Sequence, residues 1–192
     1  MSDSRNALLL ANVSRRGVLK GIAGVSALLL AARWDMGMAN QQAQFGAGAM
    51  PGGWVDDPNV FIQIDTDGRV TFINNRAEMG QGIRTSLAMV AADELGAQWE
   101  QVRVQQEKYG NQNTDGSRSM RHWYDPIRRA AAAARLMLQQ AAAQRWEVPV
   151  WEVHADLHKM THPATGRELG FGELAEAARE LDVPGRNDLV LK

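Results

Sequence analysis

Cysteine is absent from all 192 residues, which excludes disulfides, a cysteine-ligated iron–sulfur cluster, a covalently attached haem and a cysteine nucleophile from this chain. Any electron-transfer centre that serves it sits on a partner. An excess of charge of either sign is missing too. The 21 Lys and Arg against 22 Asp and Glu leave a net charge of -1, so no bulk basic field holds nucleic acid or an anionic membrane. No apolar run reaches the roughly 20 residues of a membrane-spanning helix, and no internal repeat is present. What remains, 45% hydrophobic and 22% charged, is an ordinary globular composition and excludes a wholly disordered, collagen-like or coiled-coil protein.

The N-terminal residues carry an address. In Ser14-Arg15-Arg16-Gly17-Val18-Leu19-Lys20 two adjacent arginines precede a hydrophobic pair and a lysine, and an apolar run from Gly21 to Ala32 follows. This is the pattern of a twin-arginine export signal, with an apolar stretch of about a dozen residues that is rich in Gly and Ala and short for a spanning anchor. Gly37-Met38-Ala39 offers small residues at the positions a signal peptidase reads, so residues 1–39 read as the signal and cleavage is expected after Ala39. That route moves folded proteins, typically those loaded with a cofactor in the cytoplasm. It points to a periplasmic protein, membrane-associated through partners, with a bound redox cofactor as the leading idea.

The rest of the chain predicts an α+β fold. A flexible leader, residues 40–56, includes a Gly/Gln/Ala-rich stretch from Asn40 to Gly53, and a domain spans residues 57–192. Val60 to Ile64 and Val70 to Ile73 are β-prone runs around Asp65-Thr66-Asp67-Gly68 and predict a hairpin. Ile83, Leu87, Val90 and Ala91 recur at helical spacing up to Gly96, and a strand follows at Val102-Arg103-Val104. Asp125-Pro126 reads as a cap with proline at the first helical position, opening an alanine-rich helix from Ile127 to Trp146. Val150 to Met160 contains a strand, Pro163 to Gly166 a turn, and Phe171, Leu174, Ala178 and Leu181 the buried stripe of a last helix. Asp188 to Lys192 looks like the start of another strand.

Chemistry concentrates at two polar, glycine-bearing junctions. The first, Asn74-Asn75-Arg76-Ala77-Glu78-Met79-Gly80-Gln81-Gly82, joins the hairpin to the first helix. Glycines on both sides of Gln81 let backbone N–H groups at the helix start approach an anionic or oxygen-rich ligand while the Gln81 amide points into the same space. The bland alternative is a common glycine turn with an exposed Gln. In the second junction, Thr114-Asp115-Gly116-Ser117-Arg118-Ser119-Met120-Arg121, the Ser117 and Ser119 hydroxyls and the Gly116 backbone offer donors to the oxygens of an anionic ligand, and Arg118 or Arg121 can neutralise charge. Here the alternative is a solvated loop capping a helix.

Glu78-Met79-Gly80-Gln81-Gly82, Thr85, Ala91-Ala92-Asp93-Glu94-Leu95-Gly96 and Trp99-Glu100-Gln101-Val102-Arg103-Val104 together resemble the molybdopterin-binding subunit of the xanthine dehydrogenase/aldehyde oxidase family. The branch they resemble is the exported one, with isoquinoline 1-oxidoreductase beta subunits and membrane-associated aldehyde dehydrogenases. The likeness continues through Trp146, His162 to Arg167 and Gly170-Phe171-Gly172-Glu173-Leu174-Ala175. It implies that Gln81 is a catalytic residue reaching the molybdenum-bound oxygens. It also implies that Gly80, Gln81, Gly82, Gly116, Ser117, Arg118 and Ser119 bind molybdopterin cytosine dinucleotide. Asp115 stands where the branch often has a second glycine, and a carboxylate there needs Arg118 or Arg121 as a partner. The family's subunit is several times longer and carries a general-base glutamate near its C-terminus, which no residue here matches. The resemblance therefore implies the N-terminal portion of a periplasmic molybdenum hydroxylase subunit oxidising aldehydes or N-heterocycles. Its partners would be the remaining molybdopterin-binding polypeptide, an iron–sulfur subunit and a c-type cytochrome. The alternative is an exported, non-catalytic remnant or module that binds no molybdenum cofactor.

No metal site is expected. His154, His158 and His162 recur every four residues, but Pro163 and β-prone flanks argue against a helix, and four residues of strand span about 13 Å. The six tryptophans are explained by core and interface packing.

Overall fold

The protein is described by a computed structural model covering residues 27–31, 60–74, 76–106 and 114–192. The Arg15-Arg16 pair, the Ala39 cleavage point and the leader expected at residues 40–56 lie outside the described residues. The element order is β1 (Ala27–Ala31), β2 (Val60–Asp65), β3 (Val70–Asn74), α1 (Ile83–Leu95), β4 (Val102–Gln106), α2 (Arg118–Trp146), β5 (His154–Asp156), β6 (Lys159–His162), β7 (Arg167–Gly170) and α3 (Phe171–Arg179). This is the expected α+β class. No helix among the described residues is long and apolar enough to cross a membrane.

A four-stranded sheet runs β1-β2-β3-β4, antiparallel except for the last pair. The β2–β3 hairpin forms as expected. Gly68 N–H donates to the Asp65 carbonyl at 2.9 Å, and the Asp67 carboxylate accepts from Arg69 N–H at 2.9 Å. Parallel pairing of β3 with β4 needs a crossover, and α1 supplies it. Register puts Ile62 beside Phe72, Ile64 beside Val70, and Val70 and Phe72 beside Val102 and Val104, so one face is apolar. That face closes a core with Leu87, Leu95, Ile127 and Leu138. Strand β1 lies inside the apolar run that also reads as the hydrophobic stretch of the signal, and it pairs along the outer edge of β2.

Helix α2 starts nine residues earlier than the sequence suggests, with Pro126 inside it rather than at its first position. The buried positions Ser119, Trp123, Ile127, Ala130, Ala134, Leu138 and Ala141 form one continuous stripe that passes the proline without a phase change. Pro126 removes the N–H that would bond the His122 carbonyl, an interior penalty of about 3 kcal/mol. Burial of Trp123 edge-on against Phe61, with ring centroids 5.6 Å apart, offsets it. The small alanine face lets α1 pack closely against α2.

Sheet β5-β6-β7 is a three-stranded antiparallel meander joined to α3. Gly172, in the first turn of α3, touches the hairpin turn: an added Cβ would sit 2.5 Å from the Gly68 nitrogen and closer still to the Thr66 carbonyl oxygen. The expected C-terminal strand does not form. Arg186–Asp188 is a 3-10 turn, and Leu189 to Lys192 pairs with no strand. Side chains hold it instead. Arg135 donates to the Val190 carbonyl, Arg128 to the Lys192 carbonyl, and Lys192 N–H to the Glu94 carboxylate at 2.9 Å. Contacts of this kind leave no periodic trace in sequence.

Candidate cofactor-binding site

The two junctions, far apart in sequence, meet in space. Strand ends are pinned first: the buried Asn74 amide donates to the Arg76 carbonyl and to Gln106 Oε1, both at 2.7 Å, and Gln106 Nε2 donates back to the Arg76 carbonyl at 3.2 Å. From this anchored turn the Arg76 guanidinium reaches α2, its Nε donating to Ser119 Oγ at 3.1 Å across 43 residues. Nearby, the Thr114 hydroxyl lies 3.6 Å from Met79 Sδ across 35 residues.

At the first junction the chain's own groups occupy much of the expected ligand-binding capacity. The Glu78 carboxylate accepts from the backbone N–H groups of Gly80 (2.7 Å), Gly82 (3.1 Å) and Arg84 (3.0 Å). The Gly82 and Arg84 amides belong to the N-cap and first turn of α1, and the Arg84 and Gly82 bonds hold the Glu78 carboxyl below its ordinary range. The Gln81 amide is tied back to its own loop: Nε2 donates to the Ala77 carbonyl at 2.9 Å, and Oε1 accepts from Met79 N–H at 2.6 Å. One amide hydrogen and one oxygen lone pair of Gln81 remain. Gly80 and Gly82 adopt φ of 92° and 79°. A Cβ on Gly80 would meet nothing within 4 Å, and one on Gly82 only Ser86 Oγ at 3.9 Å. The glycines are thus required by conformation, and the space before the loop is open.

At the second junction Arg118 Nε lies 3.0 Å from Asp115 Oδ1, the pairing that a carboxylate in this place requires. Gly116 and Ser117 both have left-handed backbone, and both are exposed, as is Arg121. Ser119 departs from expectation. It belongs to α2, is only 4% exposed, and its hydroxyl faces Arg76 rather than an incoming ligand. His122 is partly desolvated and lies in the field of Arg121, Arg118 and Arg76, which together push its pKa down. Three arginines from the two junctions thus act on one imidazole.

A family profile described as the molybdopterin cofactor-binding domain matches residues 27–189. The chain belongs to this family. The beta subunit of isoquinoline 1-oxidoreductase from Brevundimonas diminuta is 36% identical over 133 residues, covering 64% of this chain and 17% of that protein. A membrane-bound aldehyde dehydrogenase (pyrroloquinoline-quinone) from Gluconacetobacter polyoxogenes is 36% identical over 169 residues, 85% of this chain and 21% of its own length. Among solved structures, quinoline 2-oxidoreductase from Pseudomonas putida 86 superposes with a TM-score of 0.50 at 26% identity, over 60% of this chain and 15% of that one. This molybdopterin cofactor-binding domain chain thus spans about a fifth or less of the length of these relatives.

Of the residues singled out in the sequence, Gly80, Gln81 and Gly82 lie in the first junction and Gly116, Ser117 and Arg118 in the second, while Ser119 is bonded across the two to Arg76. Arg76, Glu78 and His122 were not foreseen. Glu78 precedes a Gly-Gln-Gly turn into a helix, a position from which a carboxylate can fold onto the opening amides. The histidines do not assemble. His154 is exposed; His158 is buried, donates from Nε2 to the Gly68 carbonyl and stacks on Phe171 at 4.5 Å; His162 bonds Glu152 through Nε2 (2.9 Å) and Thr165 through Nδ1 (2.7 Å). No metal-binding cluster of His, Cys, Asp or Glu occurs among the described residues.

Proposed function

We propose that this domain holds part of a molybdopterin cytosine dinucleotide cofactor within a periplasmic oxidoreductase subunit that oxidises aldehydes or N-heterocycles. The observation that carries the reading is the meeting of the two junctions, bonded through Arg76 and Ser119, with open space before the Gly80 turn. The groups still able to meet a large anionic group are the exposed Gly116 and Ser117, the latter with its hydroxyl, and the Arg118 and Arg121 guanidiniums, while the Gly80 and Gly82 turn leaves open space before it. The remaining amide hydrogen of Gln81 would donate to an oxygen of the group, and Arg121, with Arg118 beyond its Asp115 pairing, would neutralise pyrophosphate charge. When bound, such a cofactor supplies two-electron oxidation of a substrate C–H bond with water-derived oxygen. Glu78 is not a base in this scheme, because three backbone bonds hold its carboxylate ionised. The base, the rest of the enclosure and the electron acceptors would come from the remaining polypeptide, an iron–sulfur subunit and a c-type cytochrome.

Export by the twin-arginine route to the periplasm is part of the proposal, motivated by Arg15-Arg16 and the apolar run after it. A second reading, a module that binds no molybdenum cofactor, is favoured by one observation: the Gln81 amide and the first amides of α1 are already engaged within the loop.

One experiment separates the readings: purify the protein from its native periplasm with whatever accompanies it, and measure molybdenum, pterin and quinone. Molybdenum and pterin in proportion to protein are expected. Their absence, or quinone alone, overturns the proposal. In a loaded complex Gln81→Ala should lower turnover while leaving the fold intact.

A further inference from the structure

We propose that Arg76 is a positioning residue of this site: locked to Ser119, it sets the separation of the two junctions and so governs retention of an anionic pterin-type ligand it does not touch. The inference rests on the cofactor-binding reading above and extends it to a buried residue. Arg76 is 3% exposed, and its backbone is fixed from both sides by Asn74 and Gln106. Its guanidinium therefore leaves the first junction from a rigid origin. Ser119, equally buried in the first turn of α2, receives it at 3.1 Å. A buried arginine side chain is costly to desolvate and is retained where its fork fixes geometry. A further bridge between the junctions among the described residues, from Thr114 to Met79, is an exposed hydroxyl–sulfur contact and too weak to set a spacing. The Arg76 charge also adds to the field of Arg118 and Arg121 around His122, which lies on the same helix as Ser119. Residues that orient a ligand-binding group without touching the ligand change affinity by about 10- to 100-fold when altered in metal sites.

The test uses the assembled, cofactor-loaded subunit with its partners, comparing R76M, R76K, S119A and the R76M/S119A double variant. Molybdenum and pterin per protein are followed through dialysis. Melting temperature is recorded, and amide hydrogen exchange is measured at residues 78–82 and 116–121. R76M and S119A are expected to release cofactor about tenfold faster, with exchange rising at both junctions together, and R76K to be intermediate. The double variant should be no worse than R76M, because the two side chains act as one link. S119A removes only a hydroxyl and decides the matter if R76M does not fold. Wild-type retention in S119A and R76M, or additive losses with exchange altered at one junction alone, overturns the proposal. A wild-type complex without molybdenum or pterin overturns the binding reading itself, and so is distinguishable from failure of the Arg76 link.

Discussion

Glu94 is a heavily committed side chain among the described residues. It is 1% exposed, and its carboxylate accepts from Arg128 Nε and Nη2, both at 2.9 Å, from Arg135 Nη1 at 2.8 Å and from Lys192 N–H at 2.9 Å. Burying a charge is tolerated only with such saturation. Removing one partner of a buried pair strands the other, at about 3–5 kcal/mol. Glu94→Ala should lose about that much in urea unfolding and release the C-terminal segment to exchange; a loss under about 1 kcal/mol would contradict the view of Glu94 as the tie for Leu189 to Lys192. Two glycines give a sharper contrast. Gly172→Ala drives a Cβ into the Gly68 nitrogen and the Thr66 carbonyl, which are backbone atoms that cannot step aside, so a cost of about 1–3 kcal/mol is expected from overpacking alone. Gly80→Ala meets open space but imposes φ of 92° on a residue with a Cβ. It should cost about 1–3 kcal/mol by strain, and the damage should stay local to the 78–82 loop. Exchange measurements separate the two: spread over the hairpin and α3 for Gly172→Ala, confined to the loop for Gly80→Ala.

At the scale of elements, the pieces legible in the sequence were those with a period and a punctuated end. The hairpin carried an Asp-Thr-Asp-Gly turn, α1 a stripe closed by Gly96, and α3 the Phe171, Leu174 and Ala178 spacing, and each formed where expected. The start of α2 was misjudged because Pro126 is a strong local signal for a first turn, whereas the burial of Trp123 and Ser119 that carries the helix past it is a tertiary fact. The site divides in the same way. Gly-Gln-Gly and the Ser-Arg-Ser segment could be read as local chemistry, but the Arg76 to Ser119 bond joins residues 43 apart, and the Glu78 carboxylate occupies amides that the sequence reading offered to a ligand. Pro126→Ala offers a check on α2. Restoring a donor to the His122 carbonyl should raise stability by about 1 kcal/mol or more in denaturant unfolding. A destabilised variant would mean that the packing of Trp123 on Phe61 depends on a bend at the proline.

For the molecule as a whole, pH and the N-terminal edge test how the pieces hold together. His158 is buried between the hairpin turn and Phe171, with Nδ1 lacking a partner, and burial lowers its pKa below the ordinary histidine value of 6.5. A group whose folded-state pKa is depressed contributes stability above its unfolded pKa and loses it as pH falls towards the folded value. Melting temperature should therefore fall on acidification below about pH 6.5, before carboxylates titrate, and less steeply in His158→Gln. His122 is shifted in the same direction and shares this window. The edge is a separate question, because Ala27–Ala31 is assigned two uses. In the fold it is β1, covering the outer edge of β2 in antiparallel register from Ala27 opposite Asp65 to Leu30 opposite Ile62. In the proposed precursor the same residues lie within the apolar stretch that directs export, and cleavage after Ala39 would remove them. An uncovered β2 would present unpaired N–H and C=O groups beside Ile62 and Ile64, which is a template for pairing with another chain. Residues 27–192 and 40–192, expressed separately, should therefore differ. The longer chain should be the more stable and less associated, and the shorter should self-associate through β2 unless the remaining polypeptide covers that edge. Size-exclusion chromatography with exchange at residues 60–65 reads both effects. Equal stability and equal protection of β2 would show that the β1 pairing adds nothing to the domain.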